Sequence, residues 1–525
     1  MKKILSKGLS IILSLVLALS AITVCLPSMA ADDVPGTDIP LIYVVGQGSG
    51  LMVTENGKRR DVYPVEYDTD EILQIAKDNI DVFAKAVFTQ EWTEFGNLIR
   101  DVLKPMFEEL ALDENGESPY NVVSISSYSL SSIKKKKPVN GKYPTRLYTF
   151  NYDWRMDPNK IADQLHQLIE YVVQATGSDH VALSGRCEGA CVTAAYMEKY
   201  DGQYVSDLIQ NCSALNGATV LSKCFAGDIY LDADGVERFV YDLKISADEM
   251  TNQLIESFVT LFNKTYGLDL ACWAVNNVWE DIYLDIMPQT LIETFGTWPG
   301  FWSMVGDEDY ERAKENVFHN ADMEKWAPFI DIIDDFHYNV QVKAAENYLK
   351  YADKGIDVYN ITKYGYQTIP VSEPANVLSD SYVTVPNSSY GATVTNIDTY
   401  FSDSYIENAK ANGTLKYISP DRQIDASTCL MPDRTWFIKN VPHKDFPADV
   451  DRLIDAMVNT DGFTVDSSEE FPQYMIFEND VISPLTSEYP DTMEKYEHSF
   501  FEALKRFFEA LQVFIKDYFA SKNAE

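Results

Sequence analysis

What this chain has least of is positive charge. Lysine and arginine together number 43 against 80 aspartates and glutamates, a formal net charge of −37 at pH 7. Such an excess argues against nucleic acid and anionic membrane surfaces as partners and favours solubility. Cysteine is scarce too. There are seven, scattered and without a C-x-x-C pair, so neither a zinc ribbon nor a disulfide scaffold is expected, and which cysteines pair is not readable. No apolar run beyond the first thirty residues is long enough for a transmembrane helix. No internal repeat is present. No motif asks for a metal or a cofactor.

The one long apolar run that exists reads as an address. Lys2, Lys3 and Lys7 precede the apolar stretch Ile11 to Val24, and Ser28-Met29-Ala30 supplies a small-x-small cleavage pattern. The expectation is a secreted protein with its signal peptide, residues 1–30, removed near Ala30. Removal takes three lysines and no acids, so the mature chain is more acidic still. Its length would hold two to four average domains, or one enzyme core with insertions.

The pattern within the chain is that of an α/β protein. Leu41-Ile42-Tyr43-Val44-Val45 reads as a fully buried strand that runs into the small-residue loop Gly46-Gln47-Gly48-Ser49-Gly50. Residues 70–112 have helical periodicity, and the lysine run 134–137 reads as a solvated loop. A strand at 146–154 is followed by helical spacing from Ile161 to Val173. A second buried strand covers His180 to Gly185, a helix Ala190 to Tyr200, and a third strand opens at Leu208 and ends at Asn216-Gly217. This rhythm predicts a mostly parallel sheet flanked by helices. Aromatics and acids then alternate at helical spacing, which predicts a helical cap insertion over 225–353. Strand character returns at 355–361, and 372–395 is polar and turn-rich. The expected segments are a core first part at 31–224, the cap, a core second part at 354–470, and a helical extension at 471–525. That extension ends in an amphipathic helix whose stripe runs from Phe500 and Phe501 through Leu504, Phe507, Phe508 and Leu511. The stripe is read as docking on the protein's own core, with contact to a lipid surface or partner as the alternative.

Gly185-Arg186-Cys187-Glu188-Gly189 sits between a strand and a helix and has the form G-x-nucleophile-x-G. Such a turn needs small flanking residues and puts the nucleophile at a helix N-terminus, where dipole and N–H groups favour thiolate. A base and an acid must follow. Of the later histidines, His443 lies in a loop just after the strand-like Thr435-Trp436-Phe437-Ile438, where a catalytic imidazole would hang over the sheet's carboxyl edge. Asp421 is preferred as its orienting acid, with Asp425 as the alternative. Backbone N–H groups of Gln47 and Glu188 would hold the oxyanion. A redox pairing of Cys187 with Cys191, one helical turn apart, is disfavoured by disulfide geometry.

These elements resemble the lecithin:cholesterol acyltransferase-like branch of the α/β-hydrolases. The carrying residues are Val45-Gly46-Gln47-Gly48, Tyr152-Asp153-Trp154-Arg155, the elbow at 185–189, Asn216-Gly217, Tyr364-Gly365-Tyr366-Gln367-Thr368, and Asp421 to Ser427 before His443. The resemblance implies an α/β-hydrolase fold, a nucleophile–acid–base triad at Cys187, Asp421 and His443, an oxyanion donor at Gln47, and ester or acyl-transfer chemistry. Two departures stand out: cysteine replaces the usual serine, and Arg422 replaces the usual glycine after the acid. The expected substrate is a small-molecule ester, lipid-like compound, lactone or thioester. The competing reading is an inactive hydrolase-fold protein that binds a hydrophobic ligand or partner outside the cell.

Overall fold

A computed structural model describes residues 36–55, 57–65, 78–89, 91–124, 128–243, 249–372, 376–487 and 493–522. The signal-peptide segment 1–30 lies outside the described residues, as does the first part of the helical stretch expected from residue 70.

Eight strands form the central sheet: β1 (Leu41–Val44), β2 (Tyr148–Phe150), β3 (Val181–Arg186), β4 (Val205–Asn211), β5 (Asp357–Tyr364), β6 (Thr435–Lys439), β7 (Tyr474–Glu478) and β8 (Val481–Pro484). Their spatial order is β8-β7-β6-β5-β4-β3-β1-β2, and every pairing is parallel except β7 with β8. A sheet covered on both faces must bury both sets of side chains, which is why Leu41, Ile42 and Val44 are all fully buried. β4 starts and ends earlier than its apolar core suggested; it stops at Asn211 and leaves Asn216-Gly217 in the loop beyond.

The crossover helices carry the end signals expected of them. α1 (Pro158–Thr176) starts with Asp157 capping the Asn159 N–H and Pro158 in its first turn, and ends at Gly177 with φ 73°. α2 (Glu188–Tyr200) follows β3 with no intervening loop but Cys187. Between residues 226 and 357 every regular element among the described residues is helical, including α3 (Ala233–Leu243), α4 (Glu249–Lys264) and α5 (Gly267–Ile292). The terminal helix α6 (Phe500–Lys522) lies against α4, tied by Arg506 to Glu256 at 3.0 Å and by the Gln253 amide to the Arg506 carbonyl.

The apolar stripe of α6 is only partly under cover. Ala503 and Ala510 are buried, whereas Phe501 and Phe508 are 79% and 52% exposed. Consecutive aromatics point about 100° apart on a helix, so pairs such as Phe500-Phe501 and Phe507-Phe508 do not all face one neighbour. No helix among the described residues is long and apolar enough to cross a membrane.

Candidate functional site

Strand β3 hands the chain to α2 through one residue. Cys187 has φ 52° and ψ −121°, a backbone conformation that side chains rarely adopt and that needs its surroundings to hold it. Its N–H donates to the Asn211 carbonyl at 3.0 Å, while its own carbonyl accepts from Ala190 at 3.0 Å. The flanking glycines are required by contact. A Cβ on Gly189 would stand 2.4 Å from the Val44 carbonyl oxygen; one on Gly185 would meet Thr193 Oγ1 at 2.6 Å. Strand, helix and β1 are thus pressed together at the elbow.

The loop after β1 closes on the same thiol. A Cβ on Gly46 would lie 2.9 Å from the Cys187 Cβ and 3.6 Å from its Sγ. Gln47, next along, is buried and lines the same cavity as Cys187. The loop is fastened from outside by the Tyr152-Asp153-Trp154-Arg155 segment. Trp154 Nε1 donates to the Ser49 carbonyl at 3.1 Å, and the buried Arg155 guanidinium takes both oxygens of Asp153 together with the carbonyls of Leu110 and Val122. Trp154 braces the loop and Arg155 ties the segment to the backbone at Leu110 and Val122; none of the four lines the cavity.

The side chain of Glu188 turns away from the cavity and into the protein. It is fully buried, with one oxygen 2.7 Å from where a Cβ on Gly300 would sit. Burial, then the nearby Asp153 carboxylate, hold its acid well above the usual carboxyl range, and the adjacent Gln47 amide pulls it back only in part, without a well-formed hydrogen bond. Any oxyanion role of Glu188 therefore belongs to its backbone N–H.

His443 lies in the loop after β6 and lines the cavity with Cys187. Its acid is neither aspartate expected from the sequence. Nδ1 bonds Asp380 Oδ2 at 2.6 Å, and the His443 N–H donates to the Asp380 carbonyl at 2.7 Å. Asp380 Oδ1 in turn accepts from the N–H groups of Tyr382 and Val383 at 3.0 and 2.8 Å, and Tyr382 packs its ring against the imidazole. A carboxylate at Nδ1 places the ring proton there and leaves Nε2 as the basic lone pair. Nε2 is buried and has no hydrogen-bond partner among the described residues.

Asp421 is occupied elsewhere. Its carboxylate pairs with the buried Lys439 ammonium at 2.8 Å and accepts from the hydroxyls of Tyr364 and Ser419. Asp425 accepts from the Tyr405 hydroxyl and the Ser427 N–H. Neither bonds His443: Asp421 faces the Lys439 ammonium, and Asp425 lies in the short strand Ile424–Asp425 paired with Thr393–Val394. Asp380 falls in the turn-rich stretch 372–395. The only local signal for it was an acid closing the short strand Leu378–Ser379, and this strand forms only by antiparallel pairing with Tyr366–Gln367.

Among the six cysteines described, none is bridged. Burial pushes the thiols of Cys212 and Cys429 up to about 11 and those of Cys224 and Cys272 up to about 12, and Cys191 is raised further. These five stay thiols at physiological pH. Cys187 alone of the six lines the cavity.

That cavity has a volume of about 570 Å³. The elbow, Gly46, Gln47 and His443 form one part of its wall, and Phe239, Tyr241 and Leu243 of α3 with Ile369 supply an apolar part. Lys495, His498 and Arg506 from the C-terminal segment also line it, as do Arg186, Asp242, Glu256, Lys444 and Asp445. Lys495 is matched locally by Asp242 at 2.8 Å and Arg506 by Glu256 at 3.0 Å. Such a chamber takes a molecule of small-ligand size with an apolar body. No protein-family model matches the chain, and no curated protein matches its sequence.

Proposed function

We propose that this chain is a thiol acyl hydrolase or acyltransferase of α/β-hydrolase type, acting on carboxylic esters or thioesters through Cys187, His443 and Asp380. The observation that carries the proposal is a buried imidazole held by a carboxylate at 2.6 Å, its Nε2 without a partner among the described residues, in the wall of the cavity that Cys187 also lines. Nothing in simple packing calls for that set.

In the proposed reaction His443 Nε2 accepts the Cys187 thiol proton, and the sulfur forms a bond to the acyl carbon. Backbone N–H groups of Gln47 and Glu188 face the oxygen that becomes negative; one such donor typically contributes about 2.7–4 kcal/mol. Collapse breaks the bond to the leaving alkoxide or thiolate, which takes the proton back from the imidazolium. Water or another hydroxyl, deprotonated by the same nitrogen, then releases the acyl group. Asp380 keeps the tautomer and stabilises the imidazolium throughout. The apolar wall from α3 favours an acyl or leaving group with a hydrophobic body. On the N-terminal pattern, the proposed site of action is outside the cell.

The test is incubation of the reduced protein with p-nitrophenyl esters and thioesters beside Cys187→Ala and His443→Ala, followed by intact mass. An acyl adduct that requires Cys187, with turnover that requires His443, is the expected result. A folded protein showing neither adduct nor turnover would move the weight to a ligand-binding role for the cavity.

A further inference from the structure

The loop that carries His443 is held by more than Asp380. Arg186, the residue before the nucleophile, and Lys363, near the end of β5, are both buried cations. The Arg186 guanidinium carbon lies 3.3 Å from the centroid of the Phe446 ring, and Lys363 Nζ lies 3.4 Å from the same centroid. Groups that close to a centroid sit over the ring faces, and two cations on one face would collide. The ring is therefore gripped from both sides. The same two cations take the loop's carbonyls in succession. Arg186 donates to the oxygens of His443 and Lys444 at 3.4 and 3.3 Å, and Lys363 to that of Asp445 at 2.6 Å.

Among the described residues neither cation meets a carboxylate within ion-pair distance; their contacts include three carbonyls, one aromatic ring and, for Lys363, the Cys212 thiol. Burial draws the Lys363 ammonium below its ordinary value, Cys212 draws it up, and the Arg186 charge adds to the fall. Burying two like charges side by side is an expensive way to fix a loop, and well-packed apolar residues would hold it at lower cost. What cation–ring and cation–carbonyl contacts add is directional control of a short segment.

We infer that Arg186, Lys363 and Phe446 form a clamp that sets the His443 imidazole relative to Cys187, which makes them positioning residues of the reaction proposed above. The inference rests on that reading for its chemistry and on the clamp's own geometry for its existence. Arg186 is the critical member, because its backbone leads directly into the nucleophile while its side chain holds the base's loop. Nucleophile and base are thereby registered to each other through one residue. An error of about 1 Å in such a register can cost on the order of 100-fold in rate.

The test compares Phe446→Leu, Arg186→Met and Lys363→Met with the conservative Phe446→Tyr and Arg186→Lys. Two readouts are used: steady-state turnover of a p-nitrophenyl ester, and the downfield proton resonance of the Nδ1–H held by Asp380. The expected result is a fall in kcat of about 10- to 100-fold with KM within about twofold, a shifted or lost downfield resonance, and substantial recovery in Phe446→Tyr. Phe446→Leu removes the ring but leaves both cations in place with their carbonyl partners, so it tests the clamp even if the cation variants fail to fold. A folded Phe446→Leu with unchanged kcat and an unchanged resonance overturns the clamp. If wild type forms no acyl adduct and turns over no ester, while Phe446→Leu still loses the resonance, the proposed function falls and the clamp stands.

Discussion

Two turns over the same sheet each hold an aspartate that is tied into its own loop, and they spend that aspartate differently. In the 378–383 turn, one oxygen of Asp380 accepts two backbone N–H groups and the other meets His443. In the 419–425 turn, one oxygen of Asp421 accepts from Ser419 Oγ and the other meets Lys439 and the Tyr364 hydroxyl. The local frames are alike; the difference is the partner across the gap. A carboxylate facing a permanent ammonium makes a structural ion pair, whose removal leaves a charge stranded. A carboxylate facing an imidazole fixes a tautomer and can support proton transfer. The comparison teaches that an acid's role is set by the group opposite it, which its own turn sequence does not specify.

The sharpest way to break this comparison is Asp380→Asn. It keeps the shape of the pair but favours the wrong tautomer, and kcat for ester turnover should fall by about 10³–10⁴-fold with the fold retained. The matching change, Asp421→Ala, should leave kcat within about threefold while lowering stability in urea by about 3–5 kcal/mol, because it strands the buried Lys439. An equal loss of kcat in both variants would erase the distinction. A third acid sharpens it from another side. Asp207 is buried, with the Ser206 hydroxyl its one hydrogen-bond donor among the described residues, and burial pushes its carboxyl up to about 7. Its folded value lies above its unfolded one, so the folded state binds the extra proton, and stability falls as pH rises from about 4 to about 7. Asp157 and Asp455, each raised to about 6 by burial, act in the same direction. Asp207→Asn should flatten part of that slope and raise stability at pH 7.5 by up to about 4 kcal/mol, read by thermal unfolding across pH. The smallest effect is expected for Tyr364→Phe, which removes one hydroxyl from Asp421. It should cost about 1–2 kcal/mol of stability and leave the pH profile of turnover unaltered.

Legibility in the sequence followed the range of the interactions. The elbow could be read because every contact that makes it tight lies within a few residues or on the adjacent strand: Gly185, Cys187 and Gly189 answer to a local steric demand. The loop at 46–50 was visible for the same reason, as small residues after a buried strand. His443 was marked by its place after β6. The acid was not readable, because Asp380 reaches His443 across 63 residues and a hairpin whose strands are two residues long. Asp421 is offered instead by its place in a turn and by the resemblance carried by Asp421 to Ser427, neither of which reports what stands opposite its carboxylate. The bracing of the Gly46 loop by Trp154, and the gripping of Phe446 between Arg186 and Lys363, were equally invisible.

The sequence by itself therefore determined the alternation of strands and helices, the strained turn at Cys187 and the presence of a histidine beyond a late strand. Those features follow from hydrophobic periodicity and backbone sterics, which act over short distances along the chain. The tertiary structure decided which carboxylate meets the His443 imidazole, which cations pack on Phe446, and which five thiols are buried away from the cavity. Those outcomes depend on burial and on charges brought together from distant segments, and such energies exist only once the chain has closed around them.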